Sequence, residues 1–105
     1  MANSPRLLQL RTLLQDDPDD PFLRYGLAME LISLGDTNAA VETFRDLTQR
    51  APNYVPTYLM LAQTLQRQAK EPEAADVLRR GILVAQAAGE EHAASELQAL
   101  LAIVE

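Results

Sequence analysis

A shift of 34 positions carries much of this 105-residue chain onto itself. It sends Leu27-Ala28-x-x-Leu31 onto Leu61-Ala62-x-x-Leu65, Ala40 onto Ala74, Arg45 onto Arg79 and Ala51 onto Ala85, and it exchanges Phe44 for Leu78. Run backwards, it maps Leu47 onto Leu13, Gln49 onto Gln15, Arg45 onto Arg11 and Pro52 onto Pro18. One coincidence would carry no weight. A register that keeps small, apolar and helix-breaking positions aligned across most of a chain is an internal repeat, and it constrains the fold more than any other feature.

Helix signals fall in step with that period. Ser4-Pro5 supplies a capping hydroxyl and a proline at the first helical position, and Leu7, Leu10, Leu13 and Leu14 follow at helical spacing before Pro18. Asp20-Pro21 opens a second helix that runs to Leu34 and stops at Gly35. Asp36-Thr37 opens a third, with Ala40, Phe44 and Leu47 inward, ending before Pro52. Val55-Pro56 opens a fourth carrying Tyr58, Leu61, Ala62 and Leu65 inward, and Glu71-Pro72 a fifth packed through Ala74, Val77, Leu78 and Ile82. After Gly89 a sixth helix, from about Glu90, repeats the pattern with Leu97, Leu100, Leu101 and Val104.

No stretch alternates with period two over the length of a strand. The expected fold is therefore all-α: about six helices in an antiparallel helix-hairpin stack, with no sheet. One domain, 1–105, would comprise a half-repeat helix (4–16), repeats at 21–54 and 55–88, and a capping helix at 90–104. Ala28 and Ala62 are expected where helices cross closely, and a bulky replacement there should cost ~1–3 kcal/mol through overpacking.

Composition narrows the function classes. A formal charge of −6 disfavours phosphate backbones as the default partner, because nucleic-acid binding draws on concentrated Lys and Arg. The absence of cysteine excludes thiol catalysis, disulfides and Cys-ligated zinc. No apolar run approaches the roughly 18 residues that span a bilayer, and Met1-Ala2-Asn3-Ser4-Pro5-Arg6 starts no signal peptide, so a cytoplasmic protein is the expectation.

Chemistry-bearing residues are sparse. Asp16, Asp17, Asp19 and Asp20 crowd one turn, but a calcium loop needs a glycine where Pro21 stands, so they read as turn and capping groups and no metal site is expected. His92, the sole histidine, has Glu91 and Glu96 nearby but no nucleophile to serve. Ser33 and Ser95 lack an accompanying base, and no glycine-rich phosphate loop is present, so neither a catalytic residue nor a cofactor is expected. Arg11, Arg45 and Arg79 recur at the repeat spacing, with Glu42 and Asp76 three residues before the latter two; such pairs stabilise a helix by ~0.2–0.5 kcal/mol each.

These residues resemble the tetratricopeptide repeat. With Pro21 as the first position of a repeat, Leu27-Ala28 falls on the family's Leu-Gly/Ala pair, Leu31 in place of the usual tyrosine, Ala40 on the alanine of helix B, Phe44 on the phenylalanine and Pro52 on the closing proline. Tyr58, Leu61-Ala62, Leu65, Ala74 and Leu78 follow in the second repeat. Arg24 departs from the family's large apolar residue, Gly81 from a small alanine and Gln86 from the terminal proline, the last fitting a final helix B that runs to about Ala88.

The resemblance implies a right-handed α-superhelix with a concave groove, lined mainly by A helices, that binds a peptide or a partner-protein segment. With Leu27, Ala28 and Leu31 turned to the core, the groove face would carry Phe22, Tyr25, Met29 and Ile32 on the second helix and Leu59, Gln63, Gln66 and Arg67 on the fourth. The family's carboxylate clamp for chaperone C-termini, built on Lys and Asn, is missing, since Tyr25 and Met29 stand there. The expected function is a non-enzymatic protein-interaction adaptor. The alternative is a scaffold that forms a homodimer through its own apolar face.

Overall fold

In a computed structural model describing residues 4–105, every regular element is a helix. The order is α1 Pro5–Asp16, α2 Pro21–Ser33, α3 Thr37–Arg50, α4 Pro56–Arg67, α5 Glu71–Ala87 and α6 Glu91–Val104. No strand occurs among the described residues. The helices start within a residue or two of the positions expected from their caps, and α1, α2, α3, α5 and α6 stop as close to their expected ends. Residues 1–3, part of the N-terminal stretch read as no signal peptide, lie outside the described ones. The chain divides into two compact units, Met1–Ala51 and Pro52–Glu105.

In the first unit α1 packs on α2 and α2 on α3. The Ser4 hydroxyl oxygen accepts from the Leu7 N–H at 3.0 Å and donates to Glu30 at 2.9 Å, so the group that caps α1 also ties it to α2. Leu7 is 2% exposed and shares a core cluster with Leu31 and Ala40, against which Leu27, Ile32, Leu34 and Ala39 pack. Leu10 is buried, but Leu13, expected on the same stripe, is 46% exposed. At 3.6 residues per turn Leu13 lies about 60° around the helix from Leu10, beyond the edge of an apolar stripe this narrow. On α3 the inward set Ala40, Phe44 and Leu47 is wholly buried, joined by Val41. Burying each of the larger side chains contributes roughly 1.5–3 kcal/mol.

In the second unit α4 packs on α5, and α6 packs on both. Tyr58, Leu61, Ala62 and Leu65 of α4, Ala74, Val77, Leu78, Gly81 and Ala85 of α5 and Leu97 of α6 are all buried. Ile82, Leu100 and Leu101 are only half-buried. A close approach forces the glycine at 81. A Cβ there would lie 2.6 Å from Tyr58 Cβ and 2.9 Å from its Cγ, nearer than such atoms come, with Leu97 Cδ1 in tight contact at 3.3 Å. Ala28 and Ala62 are likewise fully buried, as expected of small residues at packed positions.

The turn after α2 closes in the manner of a Schellman motif. Gly35 takes the left-handed conformation (φ 82°), its N–H donates to the Ile32 carbonyl at 3.0 Å, and the Asp36 N–H donates to Leu31 at 2.9 Å. One repeat later Ala69 does the same at φ 60°, with the Lys70 N–H on Leu65 at 2.9 Å.

Candidate partner-binding faces

The α2 face begins at Phe22. Asp20 accepts from the backbone N–H groups of Phe22 and Leu23 at 2.9 and 3.3 Å, which fixes the first turn. Phe22 is 70% exposed, the most exposed large apolar side chain of the described residues. Tyr25, three positions on, turns its ring edge-on to Phe44 with centroids 5.9 Å apart, so it is half-buried and belongs partly to the core. Ile32 packs against the Leu7–Leu31–Ala40 cluster. Met29 is half-buried between them on the stripe. A helix apolar around most of its circumference shows one face to the core and keeps apolar area elsewhere.

On α4, in the second unit, Leu59, Gln63 and Gln66 are half-buried and Arg67 is exposed. Arg67 lies in the last turn, where a cation suits the helix C-terminus. The α4 face is thus half amide, while the α2 face is half aromatic.

Two constellations join residues that the sequence does not mark as partners. In the first unit Arg24, whose side chain is 16% exposed, donates from Nε to the Pro18 carbonyl at 2.6 Å and meets Asp46 at 3.2 Å. Asp46 also holds Arg50 at 2.8 Å, and Arg50 reaches Asp19 at 3.1 Å. The spacing of Asp46 and Arg50 was a usable signal; the pairing across helices was not. In the second unit the Tyr58 hydroxyl donates to the Pro52 carbonyl at 2.6 Å, and the Arg80 guanidinium lies over its ring, 5.9 Å from the centroid. Burial raises the Tyr58 pKa above its ordinary value of 10.0, against the opposing pull of the Arg80 charge.

The remaining polar groups have local work. Arg79 meets Asp76 at 3.2 Å, the i,i+3 pair expected, and also Glu105 at 2.6 Å. His92 lies 3.6 Å from Glu96 on an open helix surface, its side chain 93% exposed. Of the crowded aspartates, Asp20 caps α2 and Asp19 pairs with Arg50. Among the described residues no helix is long and apolar enough to cross a membrane.

Helix hairpins repeating at a two-helix period, with apolar and amide side chains left on the first helix of each pair, define a protein-interaction repeat fold. The comparisons with known proteins agree. No model of a known family matches the sequence, and no curated protein matches it. Solved structures do. A tetratricopeptide repeat domain protein from Salinibacter ruber, determined in solution, is 35% identical, with 84% of this chain matched to 89% of that one at a TM-score of 0.81. A crystal structure from the same organism gives 34% identity, 81% of this chain, 96% of that one and a TM-score of 0.77. The chain belongs to the tetratricopeptide repeat family.

PcrH, determined in complex with the chaperone binding region of PopD, shares the fold at 19% identity, 93% of this chain, 74% of that one and a TM-score of 0.84. SycD, the type III secretion translocator chaperone of Yersinia enterocolitica, shares it at 14% identity, 93% of this chain, 68% of that one and a TM-score of 0.83. Repeat and chaperone proteins thus share this fold.

Proposed function

We propose that this chain is a non-enzymatic cytoplasmic adaptor, a single domain of two repeats (21–54 and 55–88), that receives a peptide or partner-protein segment on the first helix of each repeat. The observation that carries the reading is Phe22, 70% exposed at the head of a stripe that continues through Tyr25, Met29 and Ile32. Large apolar groups clustered on one face mark interaction surfaces more often than decoration, and Met adapts to varied partners. On α4, Leu59, Gln63, Gln66 and Arg67 form the other contact face, with the amides suited to peptide backbone. The fold shared with PcrH, which was determined with a bound protein segment, supports a segment as the occupant.

Phe22→Asp is the decisive variant. It removes the exposed ring, yet places a carboxylate in the first turn of α2, where the helix dipole favours it, so the fold is retained. Captured partner from native cell extract should vanish with Phe22→Asp and with the Tyr25→Ala/Met29→Ala pair while helical content holds. Capture that survives both would refute the α2 face as the site. Light scattering addresses self-association: a stable dimer split by Phe22→Asp would give that face to a second copy instead.

A further inference from the structure

We infer that the second unit carries another interaction surface, built from residues other than those of the α2 and α4 faces: a cleft on the last turns of α5 that takes an aliphatic side chain of an extended peptide whose neighbouring carboxylate is held by Arg80. The cleft has a volume of about 390 Å3 and is lined by Asn53, Leu83, Val84, Ala87 and Ala88. That lies within the roughly 300–1,000 Å3 of small-ligand sites. Leu83 is 68% exposed and supplies hydrocarbon surface to the cleft.

The cation is what selects the occupant. Arg80 precedes Leu83 and Val84 by one helical turn, so the three are surface neighbours. Its guanidinium is held over the Tyr58 ring, and Tyr58 in turn donates to the carbonyl of Pro52, the residue before Asn53. Asn53 lines the cleft, and Arg80 is tied through Tyr58 and Pro52 to the residue that precedes it. The neighbouring Arg79 is already occupied by Asp76 and Glu105. Among the described residues Arg80 meets no carboxylate, only the ring.

A pre-positioned guanidinium beside hydrocarbon fits one carboxylate next to one aliphatic group. The chain's charge of −6 repels a strongly acidic segment, so the fitting peptide is otherwise neutral. Its direction follows from α5 itself. The last turn is the negative end of the helix dipole, so the aliphatic group lies over Val84 and Ala87 and the carboxylate points back to Arg80. The Asn53 amide, both donor and acceptor, serves the peptide backbone.

The test is a titration of the isotope-labelled full chain with the peptide acetyl-Ala-Leu-Leu-Glu-Ala-amide, read by amide chemical shifts, against its Gln-for-Glu counterpart. Shifts should concentrate at residue 53 and residues 80–88, and the Gln peptide should bind about tenfold more weakly. Arg80→Gln should erase that difference, Leu83→Asp should abolish binding, and Phe22→Asp should change nothing. Both α5 side chains are exposed, so the variants keep the parent spectrum elsewhere. Equal binding of the two peptides, or shifts confined to α2 and α4, overturns the proposal. Concentration-dependent shifts at 80–88 without peptide would assign the cleft to a second copy and likewise overturn it.

Discussion

The α2–α3 hairpin and the α4–α5 hairpin are related by the same 34-residue shift, yet they tie the same three points with different chemistry. In the first, the Pro18 carbonyl accepts from Arg24 at 2.6 Å, and Arg24 meets Asp46 at 3.2 Å. The shift carries these residues to Pro52, Tyr58 and Arg80. There the carbonyl accepts from the Tyr58 hydroxyl at 2.6 Å, and Arg80 covers the ring. The turn carbonyl, the first turn of one helix and the third turn of the next are joined both times, once by an ion pair and once by an aromatic ring. Two further exchanges follow the same register. Leu47, fully buried, becomes Gly81, because Tyr58 fills the volume a side chain at 81 would need. Gly35 becomes Ala69, which keeps the left-handed turn without glycine's freedom.

The largest effect should come from breaking the Tyr58–Gly81 fit. Alanine in mid-helix normally gains about 1 kcal/mol over glycine. At 81 the new Cβ would sit 2.6 Å from Tyr58 Cβ, an atom next to the α4 backbone, so the helices must part. We expect Gly81→Ala to be destabilising on balance by ~1–3 kcal/mol. Thermal melts should drop by about 4–8 °C for each kcal/mol in a chain of this size. In a Tyr58→Ala background the same change should be neutral or stabilising, a coupling that a double-mutant cycle reads directly. A Gly81→Ala melt above wild type would show that the close approach does not exist.

Ala69→Gly has the opposite sign. An L-residue in the left-handed region costs roughly 1–2 kcal/mol, offset in part by the greater chain entropy of glycine. Denaturant titration should give a gain of about 1 kcal/mol with an unchanged slope. Gly35→Ala, its mirror in the first hairpin, should lose a similar amount. If both changes are neutral, the two turns are not strained alike and the comparison fails at this point.

How much of this was legible in the sequence depended on each helix's own pattern. On α3 the polar and apolar residues separate cleanly, and Ala40, Phe44 and Leu47 were placed inward and are fully buried. On α2, Phe22, Leu23, Tyr25, Leu27, Met29, Leu31 and Ile32 surround the helix, so periodicity alone leaves its rotation loosely defined. The sequence places Tyr25 and Ile32 on the outward face; in the structure Tyr25 leans on Phe44 and Ile32 on the Leu7 cluster, each half-buried, while Phe22 is exposed. Caps were legible because they are local: Ser4, Asp20 and Asp36 each accept the backbone N–H expected of them. Arg24 and Gly81 registered only as departures from the family pattern. Their partners, Asp46 and Tyr58, lie 22 and 23 residues away, beyond any local rule.

The ion-pair version of the tie should respond to salt. Arg24→Ala removes one contact to Asp46 and one to Pro18, but Asp46 keeps Arg50 at 2.8 Å and is not left alone. A loss of about 1 kcal/mol is expected at low salt, shrinking as added salt screens the pair. The aromatic version, in which Arg80 stacks on a largely buried ring, should be less salt-sensitive. Parallel melts of Arg24→Ala and Arg80→Ala across a salt series would separate the two, and identical salt slopes would mean the ties are not chemically distinct.

Tyr58→Phe is the mildest change, since it keeps the ring that excludes a side chain at 81 and the surface under Arg80. It deletes only the hydroxyl that donates to Pro52, for a loss of roughly 0.5–1.5 kcal/mol near neutral pH; Pro52 is exposed, and water can replace the donor. Its distinctive mark is alkaline. Burial raises the folded-state pKa of Tyr58 above 10.0, so the folded state holds its proton where the unfolded chain releases it. That contribution is complete below the unfolded value and is lost as pH climbs from there through the folded one. Wild type should therefore lose stability above about pH 10 more steeply than Tyr58→Phe, and the two curves should converge. Parallel curves at every pH would mean that the hydroxyl is not shielded, and that the second hairpin's tie is looser than its 2.6 Å bond implies.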